Sequence, residues 1–132
     1  MDANRILKIL ADGDFHSGES LGQMLGVSRT AVWKQITQLE KLGLEVHSVK
    51  GKGYRLSRKI ELLSEEVVRG CLDLHAQQLY RHIDIKPLVS STNDEVKAKS
   101  IAPYVCLAEA QSAGRGRRGR DWVSPYGSNI YM

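Results

Sequence analysis

The turn Gly26-Val27-Ser28 constrains the fold more than any other feature, because it separates two short apolar stripes that repeat at helical spacing. Gly26 suits the left-handed backbone that ends a helix, and Ser28 suits the cap of the next helix. Two short helices joined by so tight a turn predict a helix-turn-helix over about residues 18–37. The inward stripes are Leu21, Met24 and Leu25 before the turn, and Ala31 or Val32, Ile36 and Leu39 after it.

The flanking segments complete a small domain. Residues 6–10 carry the apolar side of a first helix that ends near residues 12–13, and Ser17 can cap the second helix. The third helix is predicted from about Arg29 to Leu42, where Gly43 stops it. Two short alternating segments then enclose Lys50-Gly51-Lys52-Gly53 and predict a β-hairpin wing over about residues 45–56. Residues 1–60 therefore predict a winged helix-turn-helix.

The distribution of charge indicates what this domain binds. Residues 29–59 hold eight basic residues against two acidic ones, a balance of +6 that falls on the third helix and the wing. DNA binding is therefore favoured over a purely structural or protein-binding module. Whether Trp33 touches DNA or packs against the first helix stays open. The residues expected to meet DNA are Ser28, Arg29, Thr30, Lys34, Thr37, Lys50 and Lys52.

A second segment, residues 64–132, mixes helices and strands after a junction at about residues 59–63. A helix is predicted to start at Ser64, a strand to carry Ile83, Ile85, Leu88 and Val89, and a further helix to run from Asp94 to Lys99. Tyr104 to Ala108 predicts a buried strand, and Asn129 to Met132 the start of another without a partner, which indicates a fragment. The apolar side of the first of these helices is expected to be Val67, Val68, Cys71, Leu72 and Leu74.

Ser91-Thr92-Asn93 places three hydrogen-bonding side chains at a predicted strand-to-helix junction. Such a junction can hold a polar ligand group, because the backbone N–H groups of a helix start are exposed there. The same residues serve equally often as a plain helix cap. Taken alone, the tripeptide favours neither interpretation.

The segment Gln111 to Trp122 follows directly after a buried-type strand and is the sharper signal. Its glycines, Gly114, Gly116 and Gly119, let the backbone approach a ligand closely. Four arginines within residues 115–120 supply forked donors suited to phosphate. Asp121 offers a local counter-charge, and Trp122 a flat face for a ring or an aliphatic chain. A ligand-clamping loop is favoured over an RNA-binding arginine-glycine segment or a solvated basic loop, because the pattern occurs once and outside low-complexity sequence.

Other classes of site have little support. Cys71 and Cys106 lie far apart and predict reduced, mostly buried thiols, and the four histidines show no ligand spacing, so no metal site is predicted. No apolar stretch approaches the roughly 20 residues that span a bilayer, and no signal-peptide pattern opens the chain. A cytoplasmic protein that binds no membrane is expected.

Together, the Gly-Arg-Gly-Arg-Arg-Gly run at residues 114–119, the upstream Ser91-Thr92-Asn93 and the N-terminal helix-turn-helix with its Lys-Gly-Lys-Gly-Tyr wing resemble one family. That family is the repressor-type biotin protein ligases. The resemblance covers the whole chain and implies an α+β protein: a winged helix-turn-helix, then the truncated start of a mixed α/β catalytic domain at residues 64–132.

The resemblance implies a two-step reaction in which biotin and ATP, with Mg²⁺, form biotinyl-5′-AMP, and biotin then passes to a lysine of a carrier protein. Arg115, Arg117 and Arg118 are the expected catalytic residues. The metal ligands are not assigned. The residues expected to bind biotin and the adenylate are Ser91, Thr92, Asn93, Gln111, Gly114, Arg115, Gly116, Arg117, Gly119 and Trp122.

The family also implies partners: operator DNA, the biotin carboxyl carrier protein of acetyl-CoA carboxylase, and a second copy of the chain once the adenylate is bound. The family's catalytic domain continues past residue 132, with more sheet, a ligand-contacting lysine and a small β domain, so the fragment alone is expected to be inactive as an enzyme. Two other hypotheses remain, a non-enzymatic, ligand-responsive winged-helix regulator and an RNA-binding protein that uses both basic patches.

Overall fold

The computed structural model describes residues 3–132, and the chain divides into two compact units, with the boundary in the sequence between Leu62 and Leu63. Over residues 3–62 the first unit consists of three helices and one antiparallel hairpin. Within residues 3–132, no helix is both long and apolar enough to cross a membrane. The elements of the first unit are α1 (Ala3–Leu10), α2 (Gly18–Leu25), α3 (Arg29–Lys41), β1 (Val46–Val49) and β2 (Gly53–Leu56).

Local signals in the sequence set the turn between α2 and α3. Gly26 adopts the left-handed conformation, with φ 67° and ψ 35°, and ends α2. The side chain of Ser17 accepts a hydrogen bond from Ser20 N at the start of α2, and that of Ser28 accepts one from Ala31 N at the start of α3. These caps satisfy backbone N–H groups that a helix start leaves unpaired.

The three helices of the first unit share one apolar core. The side chains of Leu7 and Leu10 from α1, Leu21 from α2, and Val32 and Leu39 from α3 are fully buried. The expectation that Met24 belongs to this core was wrong, since its side chain is 57% exposed. Helical spacing alone places Met24 at the margin of the stripe, where Leu21 and Leu25 already fill the interface.

The wing is a two-stranded hairpin whose register runs from Val46 opposite Leu56 to Val49 opposite Gly53. A third chain segment joins it, because His16 and Tyr54 exchange two backbone hydrogen bonds of 2.9 Å. Gly53, with φ 100°, passes so close to this segment that an added Cβ would lie 2.1 Å from the carbonyl oxygen of His16. The wing is therefore anchored to the chain just before α2.

The second unit, over residues 63–132, is built on two parallel strands joined through a helix. Strand β3 (His82–Lys86) and strand β4 (Tyr104–Ala108) pair from His82 opposite Tyr104 to Lys86 opposite Ala108, and the helix between them packs against β4. A small core forms at the end of β4, where Ala108 clusters with Val89 and Tyr131. The elements are α4 (Glu65–Gly70), α5 (Leu74–Leu79), β3 (His82–Lys86), α6 (Thr92–Lys97), β4 (Tyr104–Ala108) and a 3₁₀ turn (Arg117–Gly119).

Several expectations for the second unit need correction. The helix that begins after Ser64 ends at Gly70, and a separate α5 follows it. Neither helix buries a residue, and Val67 and Leu74 are 61% and 78% exposed. Cys71 is exposed rather than buried, while Cys106 is buried; both thiols are free. The apolar pattern there is therefore not the buried face of one helix.

The strand boundaries also differ from those expected. β3 ends at Lys86, so Leu88 is exposed, and Val89 instead forms an isolated parallel bridge with Gln111. Of residues 129–132, Tyr131 alone pairs, in a single antiparallel bridge with Ala108. The helix after Ser91 begins at Thr92 and ends at Lys97, earlier at both ends than the pattern indicated. β4 coincides with the predicted Tyr104 to Ala108.

Candidate functional sites

The outer face of α3 carries the side chains expected to meet DNA. Arg29, Thr30 and Lys34 are exposed there. Ser28 uses its hydroxyl oxygen to cap α3, and the hydroxyl of Thr37 donates to the carbonyl oxygen of Trp33 at 3.2 Å. Those two hydroxyls are therefore engaged with the backbone of their own helix, while the charged residues extend into solvent.

Beside the start of α3 lies an open groove of about 600 Å³. The N-terminus of a helix carries partial positive charge and favours anions such as phosphate. Arg29 adds a full positive charge at the same place. The groove is lined by Gly18, Glu19, Gly22, Gln23, Gly26, Val27, Ser28 and Arg29.

At the wing, Lys50 and Lys52 are exposed on either side of Gly51. The ammonium of Lys52 lies 5.8 Å from the ring centroid of Phe15, and the guanidinium of Arg55 lies 4.9 Å from the same centroid. A cation held over an aromatic face is attracted by the ring quadrupole. Phe15 therefore supports two cations of the wing, of which Arg55 was not among the residues predicted from sequence.

In the second unit, the structure brings most of the expected ligand-binding residues around one cavity of about 400 Å³, a size typical of small-molecule sites. Of the predicted residues, Gly114, Arg118 and Gly119 lie outside the lining. The residues that line the cavity are Ser91, Thr92, Asn93, Lys97, Gln111, Arg115, Gly116, Arg117, Trp122, Ile130, Tyr131 and Met132.

Gln111 lines this cavity and forms hydrogen bonds with two of the buried residues around it. Its Oε1 accepts hydrogen bonds from Thr92 N at 2.9 Å and from Thr92 Oγ1 at 3.2 Å. Its Nε2 donates to Ser124 Oγ at 3.2 Å. Thr92 and Ser124 are buried, so this network fixes three polar side chains without solvent between them. The amide of Gln111 thereby connects the start of α6 to Ser124, which follows the glycine-rich loop (residues 111–122).

Ser91 occupies the cap position of α6 but makes no side-chain cap hydrogen bond, whereas its carbonyl oxygen accepts from Asp94 N and Glu95 N. Ser17, Ser28, Ser64 and Asp73 all cap their helices through their side chains. The buried Ser91 instead lines the cavity. This geometry favours the ligand interpretation of the tripeptide over the plain cap.

The glycine-rich loop has a closed base and an open tip. Trp122 N donates to Gly114 O at 2.9 Å, Arg115 and Asp121 form an antiparallel bridge, and Gly116 N donates to Arg120 O. A Cβ on Gly114 would lie 2.7 Å from Trp122 O and 2.8 Å from Ser124 Oγ, so the base admits no side chain there. At the tip, Arg118 has a left-handed backbone with φ 60°.

The arginines of the loop differ in their partners. Arg115 forms an ion pair with Asp94 in the first turn of α6. The counter-charge of Arg115 was expected from Asp121, but the ion pair forms with Asp94, although Asp121 lies opposite Arg115 in the antiparallel bridge. Arg117, Arg118 and Arg120 are exposed, and within residues 3–132 no carboxylate pairs with them. The tip thus presents positive charge that an anionic ligand could neutralise.

Sequence reasoning missed two kinds of residue in this site. Lys97 lines the cavity from the last turn of α6, and Asn93 lies four residues before it on the same helix face. That spacing was a usable signal. Tyr131 reaches the site through its β-bridge with Ala108, and Asp94 through its ion pair with Arg115. No local sequence pattern predicts either contact.

The lining contains no acidic residue, and no group of three or more His, Cys, Asp or Glu side chains converges anywhere in residues 3–132. The residues present do not fit a Mg²⁺ site built from protein ligands, because Mg²⁺ requires oxygen donors and favours carboxylates. A magnesium ion at this site would depend on the phosphates of a nucleotide.

A buried carboxylate lies beyond the site, immediately after β4. Glu109 is 5% exposed, and its Oε1 accepts a hydrogen bond from Leu63 N. Burial raises the pKa of Glu109 above its ordinary value, and the hydrogen bond from Leu63 opposes part of that rise. This side chain holds the chain where the second unit begins.

Comparisons with known proteins agree with this architecture. Residues 3–55 match an HTH domain family, and residues 86–132 match the biotin/lipoate A/B protein ligase family. The chain is 42% identical to the bifunctional ligase/repressor BirA of Salmonella typhimurium over 130 residues, which is 96% of this chain and 39% of that protein.

Two further relatives extend the comparison. The protein of the same name from Escherichia coli is 42% identical over 97% of this chain and 39% of its own length. The one from Bacillus subtilis is 40% identical over 92% of this chain and 38% of its own length. The chain therefore spans about two fifths of the length of these relatives. The resemblance predicted from the motifs is confirmed.

Proposed function

From the homology of this chain to the bifunctional ligase/repressors, we propose that the protein is a biotin–protein ligase that also represses transcription by binding DNA. The observation that carries the proposal is the single cavity that gathers Ser91, Thr92, Asn93, Gln111, Arg115 and Arg117 in the second unit. The winged helix-turn-helix in the first unit supplies the regulatory half.

In the proposed first step, the biotin carboxylate attacks the α-phosphate of ATP, an O–P bond forms, and pyrophosphate leaves with the electrons of the broken bond. Arg115 and Arg117 oppose the negative charge that builds between carboxylate and phosphate. Ser91 and Asn93 offer hydrogen bonds to polar groups of biotin. Gln111 holds Thr92 in place through a hydrogen bond to its backbone N–H. Lys97 adds a cation to the same wall.

Mg²⁺, when bound to the nucleotide, would neutralise phosphate charge. The chain's own residues then hold the product, a mixed anhydride with AMP as its leaving group. The arginine-rich tip covers the reactive bond and limits its access to water. A lysine amine of a carrier protein, proposed to be the biotin carboxyl carrier protein of acetyl-CoA carboxylase, attacks the acyl carbon and releases AMP.

For regulation, we infer that the adenylate orders the tip of the loop and that the ligand-bound protein pairs with a second copy. Two winged helices related by a two-fold axis fit a symmetric operator, because each recognition helix then enters one half-site. An ordered loop lowers the entropy still to be lost on dimerisation, which couples the two events. We propose that both activities occur in the cytoplasm.

The test is calorimetry of the full-length protein with a non-hydrolysable biotinyl-adenylate analogue, with biotin alone for comparison. We expect tight analogue binding together with dimer formation, and adenylate formation from biotin and ATP. A folded protein that binds the analogue without forming adenylate would favour the non-enzymatic, ligand-responsive regulator. Preference for single-stranded RNA over duplex DNA would instead favour the RNA-binding hypothesis.

A further inference from the structure

Trp33 has an unusual position for a large aromatic residue. It lies in α3, one residue after the fully buried Val32, yet its own side chain is 57% exposed. Cations stack on Phe15 and Tyr104, and among the residues that the structure describes none stacks on Trp33. The indole therefore presents a large apolar surface to water.

The neighbours of Trp33 identify the surface to which it belongs. Arg29 lies four residues before it and Thr37 four residues after it, so all three share one side of α3. Lys34, the next residue, is exposed as well. These are the residues proposed to meet DNA, and their positive charge complements a phosphate backbone. A duplex is accordingly the occupant that this face fits.

Trp33 itself carries no charge, so it adds nothing to phosphate attraction. Apolar contact in the major groove is possible chiefly at the 5-methyl group of thymine, since the other base edges present hydrogen-bonding groups. Resting on the proposed DNA binding, we propose that Trp33 determines sequence specificity by packing its indole against a thymine methyl group in the major groove. Arg29 and Lys34 then position the helix, and Trp33 reads a base.

The experiment begins by selecting preferred sites from a randomised duplex library with the full chain. Each thymine of a selected duplex is then replaced singly by deoxyuridine, which lacks the methyl group, and affinities are measured. At one or two positions we expect about a fourfold loss, the equivalent of one buried methyl group. Trp33→Ala should bind the thymine and deoxyuridine duplexes equally at those positions.

Two variants control the experiment. Met24→Ala removes an apolar side chain of the same 57% exposure from α2 and should keep the full deoxyuridine penalty. Trp33→Phe keeps a flat apolar ring and should retain part of the penalty, which shows that α3 still folds.

The possible results distinguish a failure of the role of Trp33 from a failure of DNA binding. If deoxyuridine costs the parent chain nothing at any position, or if Trp33→Ala keeps the penalty, the role assigned to Trp33 is overturned while DNA binding stands. If the parent chain binds no duplex at all, the proposed repressor function and the role of Trp33 both fall.

Discussion

Arg115 and Asp94 form an ion pair that joins the glycine-rich loop to the first turn of α6. Both residues belong to segments that line the ligand cavity, since α6 contributes Thr92, Asn93 and Lys97 and the loop contributes Arg115 itself. The pair therefore holds the guanidinium beside the polar tripeptide before any ligand arrives.

Neutralising Asp94 tests the positioning of Arg115. In Asp94→Asn, we expect the full-length protein to release the adenylate roughly two- to fivefold faster, because an exposed ion pair contributes less than about 1 kcal/mol. Dissociation of a labelled adenylate measures the rate. Asp121→Asn is the matched control and should change little, because the ion pair of Arg115 is with Asp94. A larger effect in the control would assign the counter-charge to Asp121.

Arg117 tests the tip of the loop. Its side chain is exposed and lines the cavity, so Arg117→Gly removes a charged donor from the bound adenylate. Release should be roughly 10- to 100-fold faster, in line with the worth of a hydrogen bond to a charged group. Escaped adenylate should then biotinylate lysines of bystander proteins, detected by blotting. Arg120→Gly, outside the cavity lining, should retain the adenylate; equal retention in both variants would remove Arg117 from the site.

Lys52 tests the wing. Its ammonium lies over Phe15 at the exposed hairpin, and one phosphate contact contributes about 0.9 to the slope of log affinity against log salt concentration. Lys52→Ala should weaken duplex binding and lower that slope by about 0.9, measured by fluorescence anisotropy between low and moderate salt. Lys8→Ala, which removes an exposed lysine from α1, should leave the slope unchanged. An unchanged slope in Lys52→Ala would mean that this side chain does not meet the backbone.

Two glycines of the wing separate backbone strain from close approach. Gly51 and Gly53 both have positive φ, 83° and 100°, but only at Gly53 would a Cβ meet other atoms of the described chain, 2.1 Å from His16 O. Gly51→Ala should cost about 1–2 kcal/mol of unfolding free energy, and Gly53→Ala about 3 kcal/mol or more. Urea titration followed by circular dichroism gives both values. Equal costs would mean that the segment at His16 moves aside.

Glu109 makes stability depend on pH. Burial raises its pKa, so the folded chain holds the proton more tightly than the unfolded chain, and stability declines as the pH rises from 4.5 through the folded value. Glu109→Gln stays uncharged and keeps an oxygen for Leu63 N. We expect its melting temperature at pH 7 to exceed the parent's by a few degrees and the difference to vanish near pH 4.

Thermal unfolding between pH 3 and pH 8 measures this effect, with the exposed Glu66→Gln as a control that should follow the parent. A lower melting temperature for Glu109→Gln at pH 7 would show that the ionised carboxylate stabilises the fold.

The winged helix-turn-helix was predictable because its determinants are local. Ser17 and Ser28 cap helices as their positions indicated, and Gly26 takes the left-handed backbone that its place after Leu25 required. Met24 was assigned wrongly to the core, because its place at the margin of the stripe left its burial to be decided by the packing around it. Tertiary packing decides such positions at the margin of an apolar stripe.

The second unit was harder, because its short elements carry weak periodicity. The apolar pattern that begins at Val67 indicated one helix, yet the chain breaks at Gly70 and resumes as α5. In the candidate site, the tripeptide and the arginine loop were visible as motifs. The ion pair of Asp94 with Arg115 spans 21 positions and depends on the path of the loop, so no local pattern could reveal it.

The close approach of Gly53 to His16 also restricts how the wing can change in length during evolution. Exposed turns usually tolerate insertions. Here an insertion after Gly53 would shift Tyr54 away from its two backbone hydrogen bonds with His16. An insertion between Lys50 and Lys52 would leave those hydrogen bonds intact. The wing can therefore be lengthened at its tip without loss of the pairing that holds its base.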